Sequence, residues 1–191
     1  MEEKIDEFVY KANPNEWLEV SDELHHSLEM ILKNNSSVYF KPDTWDGIPI
    51  KKDMSSRSVF LLMGFAVENL IKGTLIFDNP EFINTGKLSG KIKTHNLQSL
   101  IEKTDEIELT DSEQNLIGVL SEAIPDWGRY PSPLAFLNLK NEVLYFQETF
   151  ITYQSVRNKI RKVLIDKLKS GWVSGRENQR TNVQIIEFRE K

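Results

Sequence analysis

MSSRSVFLLMGFAVENLIKGTLIF, residues 54–77, is the most apolar stretch of the chain. Its apolar side chains fall on nearly every face of a helix. That pattern marks a helix buried in the middle of a bundle rather than one lying on a surface. A pair of strands through LLMGFAV is the competing assignment, but the length and the lack of strict alternation favour a helix. Asp53 or Ser55 can cap it. Gly64 and Gly73 each cost roughly 1 kcal/mol in a helix interior, and close approach of another backbone is the usual reason to keep them. Glu68 and Lys72 stand one turn apart within this apolar run. An ionised glutamate there is costly unless paired. The two therefore form either a satisfied buried pair, or an anchor for a polar cluster that faces a cleft.

Outward from this helix the chain reads as more helices. Trp17, Val20, Leu24, Leu28 and Ile31 recur at helical spacing and predict a helix over 15–33, with Pro14 at its start. Residues 34–53 hold Pro42, Asp46-Gly47 and Pro49, and read as a long loop folded back through Tyr39, Phe40 and Trp45. A polar Gly/Lys stretch over 84–93 leads to Thr94, which is placed to cap a short helix, 95–103. Thr110 followed three residues later by Glu113 has the capping-box pattern, so another helix runs over 110–123. Pro125, Pro131 and Pro133 break the next segment. A stripe through Leu139, Val143, Phe146, Phe150, Tyr153, Ile160 and Leu164 predicts the longest helix, 138–169, ended by Gly171 and Gly175. The expectation is an all-α, up-and-down bundle of four to five helices over residues 1–170. A polar tail over 171–191 then follows, in which VQIIEF pairs as an edge strand or hangs loose.

Bulk properties bound the function. With 191 residues, 39% hydrophobic and 28% charged, the chain has room for one ordinary core. Cysteine is absent, which removes disulfides, thiol nucleophiles and the usual ligands of structural zinc. No uninterrupted apolar run reaches the length of a membrane-spanning helix, and the acidic start lacks the pattern of a secretory signal. No membrane association, a cytoplasmic location and neither a metal nor a cofactor are therefore expected. The net charge of −5 hides an asymmetry: residues 157–191 carry ten Lys/Arg and four Asp/Glu, so that end is net +6 on a body of −11. A basic end can touch phosphate locally, or can be no more than a solvated helix face.

Three further features stand out. Arg157 occupies the inward stripe of the last helix, where an apolar residue is expected. It either snorkels towards an acidic neighbour, or presents its planar fork to a phosphate or carboxylate. Trp127-Gly128-Arg129-Tyr130-Pro131 sets a guanidinium beside two aromatic rings. That grouping suits a phosphate or a stacked base, or else plugs one end of the bundle. His95 opens the short helix, as a structural hydrogen bonder or a proton carrier. His25 and His26 lie on adjacent helix faces and cannot both point inward.

The order of Gly64-Phe65-Ala66-Val67-Glu68-Asn69-Leu70-Ile71-Lys72-Gly73, then His95-Asn96-Leu97-Gln98-Ser99-Leu100, then Trp127-Gly128-Arg129-Tyr130-Pro131 resembles the HEPN family of helical domains over roughly residues 55–165. The resemblance implies a bundle of four or five helices, commonly a homodimer. Many members are metal-independent endoribonucleases of toxin-antitoxin, abortive-infection and CRISPR-linked defence systems. In those enzymes an arginine steadies the phosphate and a histidine, after four to six intervening residues, moves a proton while the RNA's own 2′-hydroxyl attacks. Here the nearest match is Arg157-Asn158-Lys159-Ile160-Arg161-Lys162, with Lys162 where the histidine would stand. Lysine binds phosphate but carries protons poorly at neutral pH. Arg129 and His95 are the alternative Arg/His pair.

The resemblance thus implies an RNA-directed protein, either a ribonuclease with an altered site or a relative that only binds RNA. Arg157, Arg129, His95 and Glu68 would be its catalytic candidates, and Lys162, Lys72, Trp127 and Tyr130 its RNA or phosphate contacts. Two other classes remain open. One is a non-enzymatic dimeric module that binds a partner such as a nucleotidyltransferase or an antitoxin. The other is a nucleotide binder built on Trp127, Arg129 and Lys72.

Overall fold

The computed structural model describes residues 2–34, 38–42, 44–132, 143, 145–176 and 180–181. Among them the chain forms six α-helices: α1 (Glu2–Lys11), α2 (Pro14–Asn34), α3 (Ser56–Asp78), α4 (Leu97–Ile101), α5 (Asp111–Ala123) and α6 (Gln147–Lys169). Two small antiparallel ribbons complete it, β1 (Val38–Pro42) with β2 (Pro49–Asp53), and β3 (Trp172–Val173) with β4 (Arg180–Thr181). The mainly helical expectation holds.

Helix α3 is the centre. Fifteen of its residues, from Ser56 to Ile76, are buried, and it packs against α2, α4, α5 and α6. By length and composition α3 would suffice to cross a membrane, contrary to the sequence expectation, but 78% of its most apolar window is buried within the protein. The two glycines are explained by neighbours that crowd the helix. A Cβ on Gly64 would lie 2.7 Å from Ile124 Cγ1, and one on Gly73 would lie 2.9 Å from Leu164 Cδ2. At Gly64 the crowding atoms belong to the Ile124 side chain, which follows α5; at Gly73 the Leu164 side chain of α6 is joined by Trp17 Cβ and by the backbone carbonyl of Pro14 at 3.3 Å, so the expected approach of another backbone holds there. Neither predicted cap closes α3: Ser55 makes no side-chain cap bond, and Asp53 Oδ1 instead accepts from the Ser55 N–H and Oγ, both at 2.8 Å.

Helix α2 runs antiparallel to α3, with Trp17 and Pro14 against Gly73 and Ser21 Oγ donating to the Ala66 carbonyl at 2.8 Å. Of the predicted stripe, Leu28 is buried and Trp17, Leu24 and Ile31 pack on the core, joined by Leu18 and Ser21, whereas Val20 is exposed. At α5 the capping box forms as its sequence requires: Thr110 Oγ1 accepts from the Glu113 N–H at 3.4 Å, and Glu113 Oε2 accepts from the Thr110 N–H at 2.7 Å.

Several expectations are corrected. Helix α1 was not expected, although Ile5, Phe8, Val9 and Ala12 pack on the core at helical spacing. The predicted loop over 34–53 is a hairpin in its described part; its prolines face each other at the strand ends, Pro42 opposite Pro49, where no ladder hydrogen bond is lost. Asn96, not Thr94, caps α4, its side chain accepting from the Ser99 N–H at 2.9 Å. Helix α6 begins at Gln147, because Phe146 is extended with φ −128° and ψ 160°. Leu139 and the rest of 138–142, Pro133, and the VQIIEF segment over 183–188 lie outside the described residues. Beyond α6, Gly171 takes the left-handed φ of 82° that stops a helix. Trp172 and Ser174 then re-enter the core, so the body does not end at residue 170.

Candidate functional site

The apolar environment of α3 dictates what its two charged residues must do. Glu68 and Lys72 are both buried, 6% and 5% exposed. Lys72 Nζ donates to Glu68 Oε1 at 2.6 Å and lies 5.9 Å from the centre of the Trp17 ring on α2. The second carboxylate oxygen, Oε2, is 2.8 Å from His95 Nδ1. A carboxylate can only accept, so Nδ1 carries the proton and Nε2 of the neutral ring is left with its lone pair. The His95 side chain is 47% exposed, and Nε2 has no hydrogen-bond partner among the described residues. The ring also packs edge-on to Phe65, 6.3 Å between centroids. The result is a buried carboxylate, neutralised from one side, that fixes the tautomer and direction of a solvent-facing imidazole. In hydrolases an aspartate or glutamate does this for a proton-transferring histidine.

The surroundings of His95 carry positive charge. From Phe82 to Ile101 there is no acidic residue, while Lys87, Lys91 and Lys93 precede the histidine. All three lysines are exposed. Lys91 Nζ lies 5.6 Å from the Phe82 ring centre, and Lys103 Nζ donates to the Lys91 carbonyl at 2.9 Å. In a chain of net charge −5 this is a locally basic segment.

Arg157 belongs elsewhere. It is buried on α6, and its Nη2 donates to Asp22 Oδ1 on α2. Arg161 holds the same carboxylate, with Nε to Oδ1 at 2.9 Å and Nη2 to Oδ2 at 2.7 Å. His25 joins this seam: Nδ1 is 3.1 Å from the Tyr153 hydroxyl, and Nε2 is 3.2 Å from Glu29 Oε1. The neighbouring His26 is exposed, as two adjacent helical positions require. Of the two openings left for Arg157, the acidic neighbour is realised. Lys162 is exposed on the same helix. The seam was legible only in pairs: Asp22, His25 and Glu29 share one face of α2, and Tyr153, Arg157 and Arg161 share one face of α6.

Burial pushes the His25 imidazole below its ordinary pKa, and the Arg157 guanidinium adds to this, against partial opposition from Glu29 and Asp22. Burial likewise pushes the Tyr153 hydroxyl up. Folded His25 therefore resists a proton that the unfolded chain accepts below pH 6.5. Its contribution is fully present above that value and shrinks as pH falls through it. Glu113 adds a second, lower window. Burial raises its carboxyl, but hydrogen bonds from Lys159, Thr110 and Ser155 outweigh this and hold it at about 2. Its contribution is lost as pH falls from 4.5 towards 2. Urea titrations across pH should show two descents. His25→Gln is expected to flatten the upper one alone; an upper descent unchanged in that variant would assign it to other groups.

The third predicted grouping forms a separate patch. Trp127 is buried against Phe60, edge-on at 5.1 Å, which is the plug at the bundle end. Arg129 is exposed, with its guanidinium 5.2 Å from the Tyr130 ring centre. Arg57 Nη1 donates to the Tyr130 carbonyl at 2.7 Å. Arg129 and His95 have no shared partner among the described contacts, so the structure gives no sign of a working pair. Of the eight sequence-predicted residues it joins three, Glu68, Lys72 and His95. Comparison with protein-family models, with curated proteins and with solved structures gives no match.

Proposed function

We propose that this chain is an RNA-directed, HEPN-like helical bundle whose working centre is the Glu68–His95 dyad. The observation that carries the proposal is the imidazole held by a buried carboxylate through Nδ1, on a half-exposed side chain that follows a lysine-rich segment. His95 Nε2 takes the proton of a ribose 2′-hydroxyl as that oxygen attacks the adjacent phosphorus. The same proton passes to the departing 5′-oxygen, leaving a 2′,3′-cyclic phosphate and a 5′-hydroxyl end. Lys91 and Lys93 contact the phosphate, and Lys72 neutralises Glu68 rather than touching RNA. Arg157 holds α2 to α6. The family resemblance adds a homodimer and a role in defence.

The test is incubation of the purified chain with single-stranded RNA of mixed sequence in EDTA. His95→Ala is expected to lower cleavage by about 10²–10⁴-fold, the usual contribution of a proton-transferring side chain, at a cost in stability of about 1–3 kcal/mol because Glu68 Oε2 loses its partner. Equal cleavage by the two proteins would remove His95 from the chemistry. No cleavage, together with no gel shift at low salt, where phosphate contacts are strongest, would end the RNA proposal.

One observation favours a second reading, a module that binds a partner protein and cleaves nothing. The β1–β2 hairpin exposes Phe40, Trp45 and Ile48 at 70%, 96% and 86%. Exposed aromatics of this kind anchor protein interfaces. Copurification that is lost in Trp45→Ala would support that reading.

A further inference from the structure

A cavity of about 330 Å³ opens between α4 and α5, at the lower end of the roughly 300–1,000 Å³ range of small-ligand sites. Its walls are Ile101, Ile107, Leu109 and Ile117. Its rim is polar, with Gln98 and Glu102 from α4 and Gln114 from α5. Helix α4 is fixed to α5 where the Leu97 N–H donates to Ser121 Oγ at 3.0 Å.

The rim groups are set for recognition. Gly118 leaves α5 without a side chain where the Gln98 amide crosses it; a Cβ there would sit 3.3 Å from Gln98 Nε2. Gln114 Nε2 donates to the Leu109 carbonyl at 3.3 Å, which turns its amide oxygen free as an acceptor. The Glu102 carboxylate has no hydrogen bond or ion pair among the described residues. Lys103, its neighbour, is occupied with the Lys91 carbonyl instead.

From these groups we infer that the α4–α5 cavity is a nucleobase subsite, and that the base is guanine. The inference rests on the RNA reading of the Glu68–His95 centre and gives it a specificity. A flat base fills a slot walled by aliphatic side chains. A carboxylate accepts from two adjacent N–H groups, and guanine presents such a pair at N1 and N2. Adenine and cytosine offer an acceptor beside one amino group, and uracil sets its single N–H between two carbonyls that would face the carboxylate. The Gln98 amide supplies the donor for guanine O6. His95 lies two residues before the five-residue helix α4 and Glu102 is the residue that ends it, so the two flank one short element. That placement suits a base next to the cleaved phosphate.

The experiment titrates the full chain with guanosine, adenosine, cytidine and uridine 5′-monophosphates by calorimetry; these carry no phosphodiester beside the 2′-hydroxyl, so none is cleaved. Guanosine monophosphate is expected to bind at least about 10-fold more tightly than the others, the discrimination of one good bidentate contact. Glu102→Gln is expected to erase that preference. Glu102 is exposed, so the variant folds, and unchanged melting confirms it. Equal binding of the four nucleotides, no binding, or a guanine preference that survives in Glu102→Gln would overturn the inference. Cleavage in the separate RNA assay reads the His95 centre and not this cavity. RNA cut without preference for guanine sinks the subsite alone, whereas guanosine monophosphate bound by a chain that cuts no RNA sinks the cleavage reading alone.

Discussion

Glu68→Ala is expected to lower the free energy of unfolding by about 3–5 kcal/mol, the cost of stranding one member of a buried ion pair. The Lys72 side chain is only 6% exposed. Without Glu68 its ammonium would keep just the face of Trp17, 5.9 Å away, in a helix otherwise lined by apolar residues. Lys72→Met should cost less, because Glu68 retains the His95 hydrogen bond. The double variant Glu68→Leu/Lys72→Met should recover most of the loss, since a well-packed apolar pair replaces a buried ion pair at little or no cost. Urea unfolding of the wild type, Glu68→Leu, Lys72→Met and the double variant closes a double-mutant cycle. Additive losses with no coupling would mean that the pair is hydrated. The buried-dyad account of His95 would then fail, because a hydrated carboxylate does not fix an imidazole.

That pair was visible in the sequence because charge at helical spacing inside an apolar run has few structural solutions. The same holds for α3 itself, expected over 54–77 and found at Ser56–Asp78, and for the Thr110–Glu113 box, whose two hydrogen bonds are local. What the sequence hid was non-local. The partner that completes Glu68 lies 27 residues away on a segment with no apolar periodicity. The Asp22–Arg157 contact spans 135 residues, so an arginine on an inward stripe announced that an anion waited without saying which. The overlong prediction for α6 has a different cause. Val143 and Phe146 keep the helical spacing, yet both are exposed and Phe146 is extended. Spacing alone does not supply the burial that sustains a helix. In the hairpin over 38–53, prolines read as loop markers proved to be strand ends. Its exposed Phe40, Trp45 and Ile48 carry no alternation that a core would impose.

Trp172→Ala is expected to cost about 3–5 kcal/mol, the range for deleting a buried large aromatic side chain. The sequence places Trp172 in a polar segment between two helix-stopping glycines, Gly171 and Gly175, where such a change should cost almost nothing. In the fold it is 3% exposed and belongs to the core cluster that begins with Val9 of α1. Four residues later Arg176 clamps the same region, with Nε donating to Asp6 at 2.6 Å and Nη1 to the Asn84 carbonyl at 3.1 Å. That ion pair is partly exposed, so Arg176→Ala should cost only about 1 kcal/mol. The indole also brings a penalty, because its Nε1 is buried without a hydrogen-bond partner among the described residues. Trp172→Phe removes the stranded donor, worth about 1–3 kcal/mol, while giving up part of the packing. It should therefore fall much closer to the wild type than Trp172→Ala. Chemical unfolding of the three variants decides the matter. If Trp172→Ala stays within about 0.5 kcal/mol of the wild type, as a surface change does, the core stops at α6 and the strand that follows is only an appendage. A large loss for alanine with near-neutrality for phenylalanine would show that apolar volume at this position, and not the indole N–H, closes the bundle beneath α1.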